Sequence, residues 1–270
     1  MKTLTIVSGA ANPVGNAIAL NALTKTWSEN LVLALSRKGT NVDGATNLRF
    51  TDLRDRDEVR HSLFRVLTNI KESSLEKIDF IHTTSESKFD FRNFEKENPY
   101  WKESFPEARQ QRKLTISDHD GDGIDDDGYT ASIVPYRNIS DRLLEYYPTT
   151  KTTQVVFGAQ LDKKYPEISE VLNSMVKIDK ILSKELQDKV TKNSHVQGIN
   201  ILPSTIATHS EVNFRPYSID KQFRLPSIKV ANLVSTKLCE ERKNTFEFVD
   251  CIEYNPRYSL YFQHETPEQE

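Results

Sequence analysis

The first twenty residues constrain this chain more than any other stretch. Thr3-Leu4-Thr5-Ile6-Val7-Ser8 is an apolar run of strand length, Gly9 closes it, and Asn12-Pro13-Val14-Gly15 opens a helix. Asparagine can cap free N–H groups, and proline fits a first helical turn, where its missing donor costs nothing. A strand that feeds a helix through a glycine turn aims the helix's unsatisfied N–H groups and positive dipole end at whatever lies above it, and a pyrophosphate is the natural occupant. The same pattern also describes any ordinary strand-to-helix turn.

The rest of the chain repeats the alternation. Leu31-Val32-Leu33-Ala34-Leu35 reads as a second buried strand and ends in Ser36-Arg37-Lys38. Phe50-Thr51-Asp52-Leu53 follows, then a helical pattern from Arg56 to Ile70 and a further strand beginning Ile78-Asp79-Phe80-Ile81-His82-Thr83. Beyond the middle of the chain come the strand Gln154-Val155-Val156-Phe157-Gly158 and helices over 139–147 and 167–190. The strand and loop Gly198 to Thr208, a helix around Val230 to Val234 and a last strand Phe246 to Asp250 complete the pattern. Strands alternating with helices predict an α/β, doubly wound parallel sheet with helices on both faces.

In this order the chain resembles the short-chain dehydrogenase/reductase family, from the first strand to the seventh. The resemblance implies one Rossmann-like domain of about seven strands over residues 1–270, with an insertion at 86–135 and a tail at 255–270. The family's first motif, Thr-Gly-x-x-x-Gly-x-Gly, falls on Ser8, Gly9, Pro13 and Gly15, with proline at the middle glycine. What the resemblance implies for a nicotinamide dinucleotide is a pyrophosphate over Ser8, Gly9, Asn12, Val14 and Gly15, and an adenine beside Asp52 and Leu53. Thr83 would stand at the end of the fourth strand, and Pro203 and Thr208 beside the nicotinamide. Ser36 and Arg37 stand where NAD-preferring members carry an acid for the ribose hydroxyls; a cation there suits a 2′-phosphate, hence NADP(H). An ordinary solvated arginine is the other reading of Arg37.

The catalytic positions depart from the family. Its members reduce carbonyls with a serine that holds the carbonyl oxygen, a tyrosine that donates the proton and a lysine four residues on. Lys177 is present, but Asn173 stands four residues before it, and Gln160 falls at the serine spacing. An amide can hydrogen-bond a substrate but cannot surrender a proton near neutral pH, and general acid catalysis is commonly worth ~10²- to 10⁴-fold. Asn138 stands where relatives place a helix-kinking asparagine that relays protons through water, or is a helix N-cap. Tyr165, Tyr136 and His82 are the candidates for a replacement acid.

Two functions follow from the resemblance. The first is an NADP(H)-binding sensor or scaffold that lacks the standard acid; the alternative is an active NADPH-dependent oxidoreductase of a carbonyl substrate with an unorthodox donor. A pure interaction protein with no cofactor is a third reading. The family's members pair through the helices expected at 139–147 and 167–190, which implies a homodimer.

The insertion carries Ser117-Asp118-His119-Asp120-Gly121-Asp122-Gly123-Ile124-Asp125-Asp126-Asp127-Gly128. Asp118, Asp120, Asp122, the Ile124 carbonyl and Asp126 fall at the ligand positions of a calcium loop, with Gly123 at its sharp turn and Tyr129 where a bidentate acid belongs. A solvated acidic loop is the alternative. Phe89, Phe91, Phe94, Tyr100 and Trp101 upstream of it suggest that the insertion packs on the body, where it would be a lid beside the ligand crevice, a partner surface, or both.

A net charge of −3 gives no electrostatic case for nucleic acid. No apolar run is long enough to span a bilayer. The first strand begins too early to leave room for a signal peptide, and two cysteines, Cys239 and Cys251, suit a reducing cytoplasm.

Overall fold

The computed structural model describes residues 2–24, 29–37, 41–70, 74–83, 118–158, 169–203, 225–240 and 245–251. Seven strands form one sheet in the order β3-β2-β1-β4-β5-β6-β7: β1 (Lys2–Ser8), β2 (Glu29–Ser36), β3 (Thr46–Arg49), β4 (Lys77–His82), β5 (Thr152–Phe157), β6 (Val196–Pro203) and β7 (Phe246–Cys251). Every neighbouring pair is parallel. The chain steps outward from β1 in one direction to β3, then restarts at β4 on the other side. The carboxyl ends of β1 and β4 therefore flank the point where the winding reverses, which is where open α/β sheets bind ligands.

Both faces of the sheet are covered, as parallel sheets require. One face is packed by α2 (Arg56–Leu67), α3 (Asp126–Tyr146) and α4 (Ser169–Lys192), whose Leu63, Leu67, Ile139, Leu143, Leu182 and Leu186 bury against Leu4, Ile6, Ile78 and Phe80. On the other, α1 (Pro13–Leu23) and α5 (Ser227–Cys239) pack Ile18, Ala22, Val230 and Val234 onto Val7, Ile81, Ile199 and Ile201. Alternate residues of one strand thus feed two separate cores. None of these helices is long and apolar enough to cross a membrane.

The largest departure from expectation is α3. It begins at Asp126, not at 139, so the last ten residues of the expected insertion are helix. Pro135 misleads the sequence reading, because an interior proline removes a donor and reads as a break, yet here it lies buried within the helix. The acidic run supplies the start: Asp125 is the N-cap, its side chain accepting from the Gly128 amide at 2.8 Å, and Asp126 and Asp127 stand in the first turn against the positive dipole end. The other helices lie within three residues of expectation except α5, which extends the short stretch Val230–Val234 at both ends. Residues 86–117 and the tail 255–270 lie outside the described residues.

Gly198 in β6 lets α4 approach the sheet. A Cβ there would come within 2.9 Å of Leu186 Cγ and of Phe246 Cδ2, and 3.0 Å of Val190 Cγ2. Gly198→Ala should therefore lower stability by about 1–3 kcal/mol through overpacking, read as a shift of the urea midpoint at unchanged slope.

Candidate functional site

The winding reversal brings Ser8, Gly9, Asn12 and Gly15 together with His82 and Thr83. Gly9 takes φ +78°, a left-handed conformation open to glycine, and a Cβ on it would lie 2.7 Å from Thr83 Oγ1. Gly15 is needed for another reason: its Cβ would meet the Gly9 carbonyl oxygen at 2.5 Å and Thr83 Oγ1 at 2.7 Å. The first turn of α1 thus rests directly on the glycine turn and on the end of β4.

Asn12 is a hub. Its Oδ1 accepts from the Gly15 amide at 2.7 Å, while Nδ2 donates to the Thr83 carbonyl at 2.9 Å and to Thr83 Oγ1 at 3.0 Å. Thr83 Oγ1 in turn donates to the Ser8 carbonyl at 2.7 Å. Asn12 and Thr83, both expected to touch a cofactor, are engaged with each other and position the turn. The remaining backbone donors can be counted. Gly9 and Ala10 donate to the Leu35 carbonyl, Asn12 to Gly9, Asn16 to Asn12, and Pro13 has no N–H. Among the described residues this leaves the Ala11 and Val14 amides without a backbone acceptor at the helix start.

Behind the turn lies a buried relay. Ser8 is fully buried, and its hydroxyl lies 2.8 Å from His82 Nδ1; His82 Nε2 lies 2.8 Å from the Ser132 carbonyl of α3. A carbonyl only accepts, so Nε2 carries the proton and Nδ1 accepts from Ser8. Burial pushes the imidazole pKa down to about 4, against a smaller opposing effect of the Ser132 bond. The Ser8 and His82 side chains are thus both buried and engaged with each other behind the turn. Tyr136 is fully buried too: it is stacked on Phe80 at 6.0 Å, donates to Gln154 Oε1 at 2.7 Å, and burial raises its pKa well above the usual range.

At the end of β2, Ser36 is buried while Arg37 is exposed. The Asp52 carboxylate is clasped by Arg54, whose Nε donates at 2.9 and 2.7 Å, and that bond holds the Asp52 pKa below its ordinary value despite partial burial. Arg37 adds attraction at the same carboxylate. Glu58, which the sequence reading passed over, accepts from the Thr51 and Asp52 amides at 2.7 and 3.0 Å and fixes this bend. Its signal was the spacing Asp55-x-x-Glu58, a capping pattern in which Asp55 takes the Asp57 and Glu58 amides. Leu53 is a core residue, and its carbonyl accepts from Asn138 Nδ2 at 3.2 Å. Asn138 also donates to the Arg54 carbonyl at 3.0 Å, so it sits inside α3 as a strut to the β3–α2 loop, not as an N-cap.

Lys177 is exposed on α4, and its ammonium donates to the Asp122 carbonyl of the acidic loop. Gly123 beside it takes φ +74°, a left-handed conformation that favours glycine. The acidic side chains turn to nearby amides: Asp118 accepts from Gly121 and Gly123, each at 2.7 Å, Asp122 from Ile124 at 2.8 Å, and Asp126 from His119 at 2.8 Å. Asp118, Asp120, Asp122, Ile124 and Asp126 are not gathered around a common point. Among the described residues no group of three or more acidic, histidine or cysteine side chains is placed to hold a metal. Pro203 ends β6, buried beside Cys251. Gln160, Tyr165, Thr208 and the side chain of Asn173 lie outside the described residues.

No family model matches this chain, and no curated protein matches it. Solved structures share its fold. An aldohexose dehydrogenase of Thermoplasma acidophilum, in ligand-free form, is similar at 14% identity and a TM-score of 0.59, covering 92% of each chain. An alcohol dehydrogenase of Thermococcus sibiricus, complexed with 5-hydroxy-NADP, is similar at 12% identity and a TM-score of 0.60, covering 94% of this chain and 100% of that one. A 3-ketoacyl-(acyl-carrier-protein) reductase of Brucella melitensis, complexed with NADH, is similar at 11% identity and a TM-score of 0.58, covering 92% and 96%. These solved structures share the seven-stranded parallel, Rossmann-like α/β fold of this chain.

The relay predicts a pH dependence. His82 is neutral in the folded chain down to about pH 4, whereas in the unfolded chain it takes up a proton below about 6.5. Its contribution is present above pH 6.5 and is lost at up to about 1.4 kcal/mol per pH unit as pH falls toward 4. Chemical denaturation between pH 7 and 5 should show this slope, and His82→Gln should flatten it.

Proposed function

We propose that this protein binds a nicotinamide dinucleotide at the carboxyl ends of β1 and β4, prefers the 2′-phosphorylated form, and does not carry out ordinary carbonyl reduction. The observation that carries the binding half is the β1–α1 turn, where left-handed Gly9 and close-packed Gly15 hold the first turn of α1 over the ends of β1 and β4 and no backbone acceptor takes the Ala11 and Val14 amides. Two amides and a helix dipole suit a pyrophosphate, although Pro13 removes a donor that the family's middle glycine would supply. When bound, the nicotinamide supplies a hydride donor or acceptor. Arg37 would meet the 2′-phosphate. Asp52 would meet the adenine with a carboxylate already shared with Arg54, which weakens that contact.

Support for the non-catalytic half comes from the acids. His82 and Tyr136 are sealed in the core, and Lys177 is held by the acidic loop. Neither Asn173 nor Gln160 is a proton donor by its chemistry. The active-oxidoreductase reading therefore rests on Tyr165 alone among the three acids named. Pairing of two copies through α3 and α4 would be polar: among the described residues the exposed large apolar side chains are Leu20, Phe64, Ile228 and Phe248, none of them on these helices.

Titration with NADPH, followed by energy transfer from the two tryptophans, should saturate; no binding at millimolar cofactor overturns the first half. Arg37→Ala should weaken NADPH by about tenfold and leave NADH unchanged, the loss of one charge-assisted contact to phosphate. Against a panel of aldehydes, ketones and quinones the native protein should not oxidise NADPH. A substantial native rate that falls on replacing Tyr165 overturns the second half.

A further inference from the structure

We propose that the dinucleotide's base is held without being read at its 6-position, so that a hypoxanthine cofactor is accepted as readily as an adenine one, and that Arg54 is the residue that removes the discrimination. The inference rests on the dinucleotide reading above. The sheet order β3-β2-β1 sets where the base falls. With the pyrophosphate over the β1–α1 turn and the ribose at the end of β2, the base lies over the next strand end, that of β3. The two ends adjoin, since the Phe50 amide just past β3 donates to the Ser36 carbonyl at 2.9 Å. Asp52, two residues on, presents a part-exposed carboxylate that also feels the charge of Arg37.

Reading an adenine at its 6-position means taking its amino group, and that needs an acceptor. A carboxylate offers about four acceptor positions. On Asp52, Oδ1 accepts from the Arg54 amide at 2.9 Å and from Arg54 Nε at 2.9 Å. Oδ2 accepts from the same Nε at 2.7 Å and lies 2.6 Å from Nη2. All four positions are occupied by one neighbour two residues along the chain. The base's amino group is a neutral donor, and charge-assisted bonds are roughly twice as strong as neutral ones, so the exchange is unfavourable. The main chain of the bend is engaged as well. Asn138 donates to the Leu53 and Arg54 carbonyls, the Asp55 amide to the Asp52 carbonyl, and Glu58 takes the Thr51 and Asp52 amides.

The ion pair also removes a repulsion. A bare carboxylate beside the base would disfavour the 6-oxo group of hypoxanthine, whose oxygen is an acceptor. A guanidinium on that carboxylate, with Arg37 close by, cancels the charge. Amino and oxo forms of the purine therefore meet the same neutral surface, while selection for the 2′-phosphate stays with Arg37.

The test compares NADPH with reduced nicotinamide hypoxanthine dinucleotide phosphate on the full chain. Energy transfer from the tryptophans reports both, because the accepting nicotinamide is the same. The native protein should bind the two within about threefold of each other. Arg54→Ala, which returns acceptor positions to Asp52, should create a preference for adenine of about tenfold. A general loss of structure would weaken both ligands alike, so the ratio separates the two causes. Failure of both to bind at millimolar concentration overturns the dinucleotide reading, and this inference with it. Binding in which the native protein already prefers adenine by more than about threefold overturns the inference alone, as does an unchanged ratio in Arg54→Ala. The native comparison decides the matter even if the variant does not fold.

Discussion

The arrangement of this protein depends on a contact between two glycines. Gly15 at the start of α1 lies so near the Gly9 carbonyl that even a methyl group would be expelled. That approach lets Asn12 cap the helix and at the same time reach across to Thr83 at the end of β4. β1, β4 and α1 are thereby locked at the point where the sheet's winding reverses. A side chain at either position would separate the helix from the strands and open the crevice floor. The Ser8–His82–Ser132 relay extends the lock to α3 on the opposite face, so both helical layers are tied to one junction.

How much of this was readable in advance follows from the range of each interaction. The succession of strands and both glycines were legible because they rest on local patterns: apolar runs of strand length and a turn that only glycine closes. The start of α3 was not, because Pro135 signals a break while the cap that starts the helix is an acidic run that also fits a cation loop. Long-range contacts were hidden altogether. Ser8 and His82 are separated by 74 residues, and nothing in either neighbourhood announces that the hydroxyl faces inward to the imidazole. Lys177 shows the same limit: its spacing from Asn173 matches a catalytic pattern, whereas its partner is a backbone carbonyl 55 residues earlier.

The acidic stretch illustrates how one composition serves different ends. The carboxylates divide between capping a helix, bracing glycine turns and taking a neighbouring amide. Asp125 does most, being buried, capping α3 and donating its own amide to Ser174 Oγ of α4 at 2.6 Å. Farther along the same two helices, Arg137 pairs with Glu185 and Lys189 with Asp141. The α3–α4 layer is therefore joined at its rim by charge and at its floor by apolar packing.

Asn12, Thr83, Ser8 and His82 find their partners in one another, and no occupant is required to complete them. The scaffold's integrity is thus uncoupled from any chemistry done above it: side chains elsewhere in the crevice can change while this junction, and the shape it sets, stays as it is.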